Sequence, residues 1–328
     1  MLLDTRIIRF DEPGAMQQAS ALLASGKLVA FPTETVYGLG ANGLDAEAVR
    51  KIFLAKGRPN DNPLILHVAS LDSALPLWKI DREQRERLES LASAFWPGPL
   101  SLVLPASEQV PLEVTAGLPT VAVRSPANPV AQALLAECEF PLAAPSANTS
   151  GRPSPTTAGH VLASLQGKID AVIDGGQTRV GIESTVLDIS TERPRLLRLG
   201  GVSQEAIEAV IGVVERGGEI NTASSPGLRH KHYQPQGMAL YLVDKVALAA
   251  RWQEDVAVIC MASTAVNLGE RVAPLATMSE DSDAYAAMLY ASFYRMEQSG
   301  ANVLLIEKVP DLPDWEAIQD RLSRAAEA

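Results

Sequence analysis

Two short polar segments carry the side chains best suited to bind phosphate groups. Residues 56–62 read Lys-Gly-Arg-Pro-Asn-Asp-Asn, and residues 144–151 read Ala-Pro-Ser-Ala-Asn-Thr-Ser-Gly. Cations, hydroxyls and amides of this kind neutralise and orient phosphate groups. Since the last turn of a helix also favours Lys and Arg, a solvated helix end explains Lys56 and Arg58 equally well from composition alone.

A glycine-rich segment has the spacing of a dinucleotide-binding loop, but its position in the chain does not fit such a loop. Gly38, Gly40 and Gly43 have the G-x-G-x-x-G spacing of a dinucleotide-binding loop. In that loop the glycines follow the first strand at once, whereas six residues separate Phe31 from Gly38. We therefore expect these glycines to form a wide turn ahead of the helix that begins after Asp45. A P-loop is also absent, because both Gly-Lys pairs are followed by aliphatic residues.

The sequence contains no signature of a catalytic nucleophile. Cys138 and Cys260 are far apart and lack close partners, so each is expected to be a small buried hydrophobe. His230 and His232 lack a carboxylate or cysteine at ligand spacing, so we predict no metal held directly by side chains. Many anion-binding groups without a nucleophile indicate chemistry that positions phosphates and neutralises their charge.

Three further positions could bind a small anion. Arg124 closes the apolar run 120–123, and a buried Arg must meet an anion or a carbonyl. His67 lies inside an apolar run, where a hydrogen-bonded core histidine is the commoner finding. Residues 181–185, Gly-Ile-Glu-Ser-Thr, could present hydroxyls and amides to a carboxylate, but their composition favours a turn before a strand.

The spacing of apolar residues predicts a mixed α/β domain in the first two thirds of the chain. Short β-branched runs predict strands at 28–31, 64–68, 100–104, 121–123, 171–173 and 186–189. Helical spacing predicts helices at 45–55, 82–95 and 204–211. A fresh alternation predicts a small separate α/β domain with parallel crossovers, its elements at 239–243, 245–252, 256–260, 282–298, 302–306 and 315–325.

Length and charge exclude several classes of protein. The chain has 328 residues, 47% of them hydrophobic, and a formal net charge of −11. It is long enough for two cores, since single cores rarely exceed ~250 residues. No apolar run approaches the roughly 18 residues of a membrane span, so we expect a cytoplasmic protein without a membrane partner. The acidic balance argues against wrapping long nucleic acid.

The order of the polar motifs resembles the YrdC-type domain family. Lys56-x-Arg58 followed by Ser146-x-Asn148 is similar to the paired signature of that family. Residues 31–40, Phe-Pro-Thr-Glu-Thr-Val-Tyr-Gly-Leu-Gly, resemble its opening strand and turn. The joint match is much more specific than either segment alone.

The resemblance extends beyond these motifs. Residues 99–104, 121–126 and 184–186 resemble further family segments in the expected order, so the match runs over about residues 3–211. Residues 225–235 resemble the connector of the two-domain, long form of threonylcarbamoyl-adenylate synthase, and the short form ends before it.

This resemblance implies a fold and an activity. The fold would be a twisted mixed-sheet YrdC-type domain over residues 1–211, a linker or lid over 212–237 and a small Rossmann-like α/β domain over 238–328. The activity would be nucleotidyl transfer that joins L-threonine, bicarbonate or carbon dioxide and ATP into threonylcarbamoyl-AMP, with release of pyrophosphate. A downstream transferase complex would use the product to modify tRNA at position 37, so tRNA would be an indirect partner.

The resemblance also implies which residues form the site. L-threonine would be held by Thr35, His67, Arg124 and Ser184. ATP would contact Lys56, Arg58, Asn62, Thr120, Ala144, Ser146, Asn148, Ser154, Arg198, His232 and Tyr233. Lys56 and Arg58 would be catalytic, with Mg²⁺ accompanying ATP, because the attacking carbamate and the triphosphate are both anionic.

Two alternatives belong to other branches of the same fold. One is a module that binds double-stranded RNA or tRNA, which the acidic balance of the first 210 residues disfavours. The other is adenylation of carbamoyl phosphate, as in hydrogenase maturation. That version should come with zinc-finger segments, which two lone cysteines do not allow.

Overall fold

The computed structural model describes residues 3–216, 233–250, 256–268 and 275–326, and its chain forms two compact units. The larger unit comprises Met1–Ser150, Pro155–Arg179 and Glu183–Arg229. The smaller unit comprises Gly151–Ser154, Val180–Ile182 and His230–Ala328. Two short segments from the first two thirds of the chain therefore belong to the smaller unit.

A mixed sheet of 11 strands forms the centre of the larger unit. In chain order the strands are β1 Arg6–Arg9, β2 Val29–Pro32, β3 Tyr37–Asn42, β4 Ile65–His67, β5 Leu100–Pro105, β6 Thr120–Arg124, β7 Leu142–Ala143, β8 Ala171–Asp174, β9 Thr185–Asp188, β10 Arg195–Arg198 and β11 Glu215–Arg216. They lie side by side in the order β1-β8-β2-β3-β7-β4-β6-β5-β9-β10-β11, and parallel pairs such as β4–β6 alternate with antiparallel pairs such as β5–β6.

Eight helices accompany this sheet among the described residues of the larger unit. They are α1 Ala15–Ala24, α2 Ala46–Lys56, α3 Leu71–Ala74, α4 Arg82–Phe95, α5 Leu112–Thr115, α6 Pro129–Glu137, α7 Ala158–Leu165 and α8 Gln204–Ile211. Buried residues of α2, α4, α7 and α8 share one apolar cluster, and those of α1 and α6 share another with β2 and β8. The mixed α/β architecture predicted from apolar spacing is confirmed.

Helix α2 places the first polar segment. Asp45 caps it as predicted, since its carboxylate accepts hydrogen bonds from the backbone N–H groups of Glu47 and Ala48 at 2.9 and 3.3 Å. The helix ends at Gly57, whose φ of 61° is the left-handed conformation that favours glycine. Lys56 is thereby fixed in the last turn, and Arg58 begins the loop that follows.

The expectation of a wide turn is wrong for Gly38 and Gly40, which lie within β3, and is confirmed for Gly43, which lies in the turn ahead of α2. Their role is steric. A Cβ atom at Gly40 would lie 2.9 Å from the ring of Phe31 on β2, and one at Gly43 would lie 2.6 Å from Leu66. The glycines therefore let neighbouring strands and their large side chains approach closely.

The smaller unit contains a parallel sheet of four strands; the parallel pairing and three of the strands were predicted, and the strand at Leu275–Met278 was not. Its strands β12 Ala239–Val243, β13 Val256–Met261, β14 Leu275–Met278 and β15 Val303–Glu307 lie in the order β12-β15-β13-β14. Its helices are α9 Lys245–Ala250, α10 Ala262–Leu268, α11 Ser282–Glu297 and α12 Glu316–Ala325. None of the helices in the described parts of the chain combines the length and apolar character needed to cross a bilayer.

Candidate active site

Lys56 joins the two polar segments of the signature. Its ammonium group donates hydrogen bonds to the backbone carbonyls of Ser146 and Asn148, and the N–H of Ser150 donates to the carbonyl of Lys56 at 2.9 Å. The side chain is fully buried. Burial, and then the neighbouring charge of Arg58, hold the pKa of Lys56 well below its usual value. The cation therefore anchors the loop 146–150 to the end of α2.

The same loop is attached to the β2–β3 hairpin through its backbone. The N–H of Leu39 donates to the carbonyl of Pro145, and the N–H of Ala147 donates to the carbonyl of Tyr37, both at 2.8 Å. These bonds bring the motif around residues 31–40 beside Ser146.

Arg58 shapes the loop that carries Asn62. Its guanidinium donates to the carbonyls of Asn62 and Pro63 at 3.3 and 3.1 Å. Asn62 is 2% exposed, and its side-chain oxygen has no hydrogen-bond partner among the described residues. Since buried polar atoms are nearly always bonded, this oxygen is suited to receive a donor from a ligand.

Arg124 contacts a carboxylate, a hydroxyl and a backbone carbonyl. It forms an ion pair with Glu34 at 2.6 Å, donates to the hydroxyl of Thr35 at 2.9 Å and donates to the carbonyl of Gly98 at 3.1 Å. Arg124 and Glu34 are 3% exposed. Burial alone would raise the pKa of Glu34, but the charge and hydrogen bond of Arg124 outweigh it and lower that pKa. An Arg that closes a buried strand thus meets an anion and a carbonyl, as its position predicts.

The turn between β2 and β3 presents Glu34 and Thr35 to this cation. The hydroxyl oxygen of Thr33 accepts hydrogen bonds from the N–H groups of Thr35 and Val36 at 3.2 and 3.3 Å and donates to the carbonyl of Val36 at 2.7 Å. A threonine at the first position of a tight turn commonly bonds the backbone in this way.

His67 pairs in register with Arg124 across β4 and β6. Its Nδ1 lies 3.2 Å from the carbonyl of Ile65, and its ring meets Phe31 edge-on with a centroid separation of 6.0 Å. Burial, followed by the charge of Arg124, lowers the pKa of His67 to about 3. The imidazole is therefore neutral at physiological pH.

Ser184 and Arg198 form a second cluster, on β10 and the residues ahead of β9. The guanidinium of Arg198 donates to the carbonyl of Ser184 at 2.9 and 3.0 Å and to its hydroxyl at 3.1 Å. The hydroxyls of Ser184 and Ser101 lie 2.8 Å apart, and all three side chains are buried.

The remaining predicted residues are more scattered. Thr120 begins β6 and Arg124 ends it, so about 13 Å of strand separates their Cα atoms. The N–H of Ala144 donates to the carbonyl of Ile65 at 3.0 Å. Ser154 and Tyr233 belong to the smaller unit, whereas His232 and most of the predicted lid at 212–237 lie outside the described residues.

Two buried partners were not predicted from the sequence. Glu34 lies inside the quoted motif at 31–40, and Ser101 lies inside the quoted segment at 99–104, but neither had a role assigned. Glu34 is the one charged residue of the motif at 31–40, and that is a detectable signal. Ser101 had none, because its partner is 83 residues away in the chain.

Comparison with known proteins gives this geometry a family. Residues 21–200 match the family model described as "Telomere recombination", and residues 202–327 match "Threonylcarbamoyl-AMP synthase, C-terminal domain". The chain is similar to the threonylcarbamoyl-AMP synthases of Pyrococcus abyssi, at 44% identity over 94% of this chain and 93% of that protein, and of Bacillus subtilis, at 40% identity over 94% and 92%.

A solved structure matches nearly the whole chain. The crystal structure of P. abyssi Sua5 complexed with L-threonine has a TM-score of 0.88 and 42% identity, covering 98% of this chain and 97% of that one. A mixed sheet with the paired signature, followed by a small parallel α/β unit, defines a two-domain nucleotidyltransferase. The chain belongs to the threonylcarbamoyl-AMP synthase family, and the resemblance seen in its motifs is confirmed.

Proposed function

We propose that the protein condenses L-threonine, bicarbonate or carbon dioxide and ATP into threonylcarbamoyl-AMP, with release of pyrophosphate. Relatives that are 36–44% identical over at least 94% of this chain are named for this reaction. The observation that carries the proposal within the chain is the buried cluster of Arg124 and Thr35, because it provides a preorganised site for a small carboxylate.

Threonine would bind through this cluster. An Arg side chain has five N–H donors, so the contacts of Arg124 with Glu34, Thr35 and Gly98 leave it capacity for two parallel bonds to a carboxylate. The hydroxyl of Ser184 and the neutral ring of His67 offer polar partners for the threonine hydroxyl. A site with such partners disfavours valine, which would leave buried polar groups unpaired.

ATP would bind along the signature segments and Arg198. Arg58, Asn62, Ser146 and Asn148 offer cationic and polar groups for the nucleotide. The ammonium of Lys56 is already bonded to two carbonyls, which favours a role in holding the loop over direct contact with phosphate. Thr120, Ala144, Ser154, His232 and Tyr233 stay predicted contacts of the nucleotide.

The reaction needs no nucleophile from the protein. Carboxylation of the threonine amine gives a carbamate, whose oxygen attacks the α-phosphorus of ATP while the bond to pyrophosphate breaks. Both reactants are anionic, so the contribution of Arg58, Arg198 and Arg124 is to offset charge and orient the two groups.

Magnesium would enter the site with ATP. The described residues contain no group of three or more His, Cys, Asp or Glu side chains that could hold a metal ion. We propose that Mg²⁺ would be held chiefly by the phosphates of ATP and would help to neutralise their charge. The product would pass to a tRNA-modifying transferase complex in the cytoplasm, and this protein would meet tRNA only indirectly.

Pyrophosphate release tests the proposal directly. The assay contains ATP, Mg²⁺ and bicarbonate with threonine, serine, valine or no amino acid. Release that requires both threonine and bicarbonate is the expected result. If folded protein gives no release with any amino acid, the activity is refuted, and RNA binding whose affinity falls steeply with salt would then support the RNA-binding alternative.

A further inference from the structure

Helix α11 of the smaller unit holds a segment that continues directly from the signature. Gly151–Ser154 follows Asn148 and Ser150 in the chain and ends at Ser154, a predicted ATP contact, yet it belongs to the smaller unit. The charged pair that holds it there is Arg152 and Glu297.

The contacts of Arg152 restrict this segment strongly. Its guanidinium meets the carboxylate of Glu297 at 2.5 Å and lies 5.7 Å from the ring centre of Tyr294. The hydroxyl of Tyr294 donates to the carbonyl of Pro153 at 2.9 Å. The Arg152 and Glu297 side chains are 18% and 12% exposed, so solvent screens this pair far less than an ordinary surface pair.

The other oxygen of Glu297 holds the chain where it leaves the linker. The N–H of Gln236 donates to it at 2.7 Å, and the N–H of Gln234 donates to the carbonyl of Gly151 at 3.1 Å. Tyr233 has a φ of 72°, which is strained for a side chain of this size, and its ring stacks on Tyr290 at 5.4 Å. One carboxylate thus fixes both the segment with Ser154 and the end of the linker.

We propose that Glu297 is a positioning residue for ATP, which acts by holding Arg152 on one oxygen and the backbone of Gln236 on the other. This inference rests on the proposed function. It gives the smaller unit a role in the reaction: its helix α11 sets the conformation of two segments predicted to contact the nucleotide, while the threonine cluster around Arg124 depends on neither.

The test uses the full-length protein and two independent measurements. Glu297→Gln keeps an acceptor for Gln236 but removes the charge that binds Arg152. It should raise the KM for ATP roughly tenfold, the loss expected of one charge-assisted hydrogen bond, and leave the KM for threonine within about twofold. Amide hydrogen exchange of a peptide over 148–156 should become faster. Asp283→Asn, an exposed charge loss on the same helix, should change neither quantity.

A second variant separates positioning from general destabilisation. Arg152→Gln should reproduce the effect on the KM for ATP, and the double variant Arg152→Gln with Glu297→Gln should be no worse than either single one, because no unpaired charge remains. Additive losses, equal increases in both KM values or unchanged exchange over 148–156 would each overturn the proposal. Lack of pyrophosphate release by the unmodified protein would refute the proposed function instead, and hydrogen exchange would still test the contact between Glu297 and Arg152.

Discussion

Acidification should destabilise this protein through His67. In the folded state burial and the charge of Arg124 lower the pKa of His67 to about 3, whereas an unfolded chain leaves it near 6.5. Below pH 6.5 the unfolded state therefore binds a proton that the folded state excludes. The contribution of His67 to stability is complete above pH 6.5 and is lost progressively as the pH falls towards 3.

The size of this effect follows from linkage. Each pH unit in that window should lower the free energy of unfolding by up to about 1.4 kcal/mol, so the loss reaches about 2 kcal/mol at pH 5 and about 4 kcal/mol at pH 3.

Urea unfolding at pH 7, 6 and 5 measures the slope, and His67→Gln isolates the part due to this residue. The glutamine can still donate to the carbonyl of Ile65 but cannot titrate. His160→Gln should remove a comparable part of the slope, because burial lowers the pKa of His160 to about 4, so the double variant is needed to account for both histidines. If His67→Gln retains the whole slope of the unmodified protein, the buried neutral state assigned to His67 is wrong.

Three other substitutions test separate parts of the structure. Arg124→Lys keeps the charge but loses the planar fork of the guanidinium. The KM for threonine should therefore rise about tenfold or more, while the KM for ATP changes little. Steady-state kinetics with each substrate varied measure both values, and equal changes would contradict the assignment. Lys56→Met leaves two backbone carbonyls without their donor. It should lower turnover and lower the free energy of unfolding by about 1–3 kcal/mol. Unchanged stability in urea would contradict the anchoring role. Gly181→Ala places a Cβ atom 2.3 Å from the carbonyl oxygen of Ala286 at a φ of 80°. The control is Gly237→Ala, at a φ of 75° with no atom within 4 Å of the added Cβ, so Gly181→Ala should lower the Tm by clearly more. Equal losses of Tm would show that backbone strain, and not the steric clash, causes the destabilisation.

Local patterns predicted those elements whose apolar spacing is strong. The helix after Asp45 and the strand ending at Arg124 were predicted close to their observed bounds. Helices α1 and α6 were not predicted, because their many alanines give little contrast between an apolar and a polar face. Strand β3 was mistaken for a turn, since its glycines reflect close packing against Phe31 and not a need for unusual backbone angles.

For the site, the sequence predicts the residue types but not which residues contact each other. The residue types at 56–62 and 144–151 indicate phosphate chemistry from the sequence alone. Their actual partners are set by contacts between distant residues: Arg124 and Thr35 are 89 residues apart, and Lys56 reaches Ser146 across 90. Composition and periodicity carry no signal for such pairs, so only the resemblance to a family could group them.

The spacing of Lys56 and Arg58 has a physical reason in the end of α2. If the helix continued, Lys56 and Arg58 would be rotated by about 200° from each other, so their side chains would project from nearly opposite sides of the helix. Gly57 ends the helix in the left-handed conformation, and a Cβ atom there would meet no atom within 4 Å, so glycine is required for its backbone angle and not for space. The turn sends Lys56 inward to the carbonyls of Ser146 and Asn148 and leaves Arg58 to bind the carbonyls of its own loop. The first cation therefore fixes where the two halves of the signature meet, and the second fixes the loop that presents Asn62, which is why one intervening glycine suits both tasks.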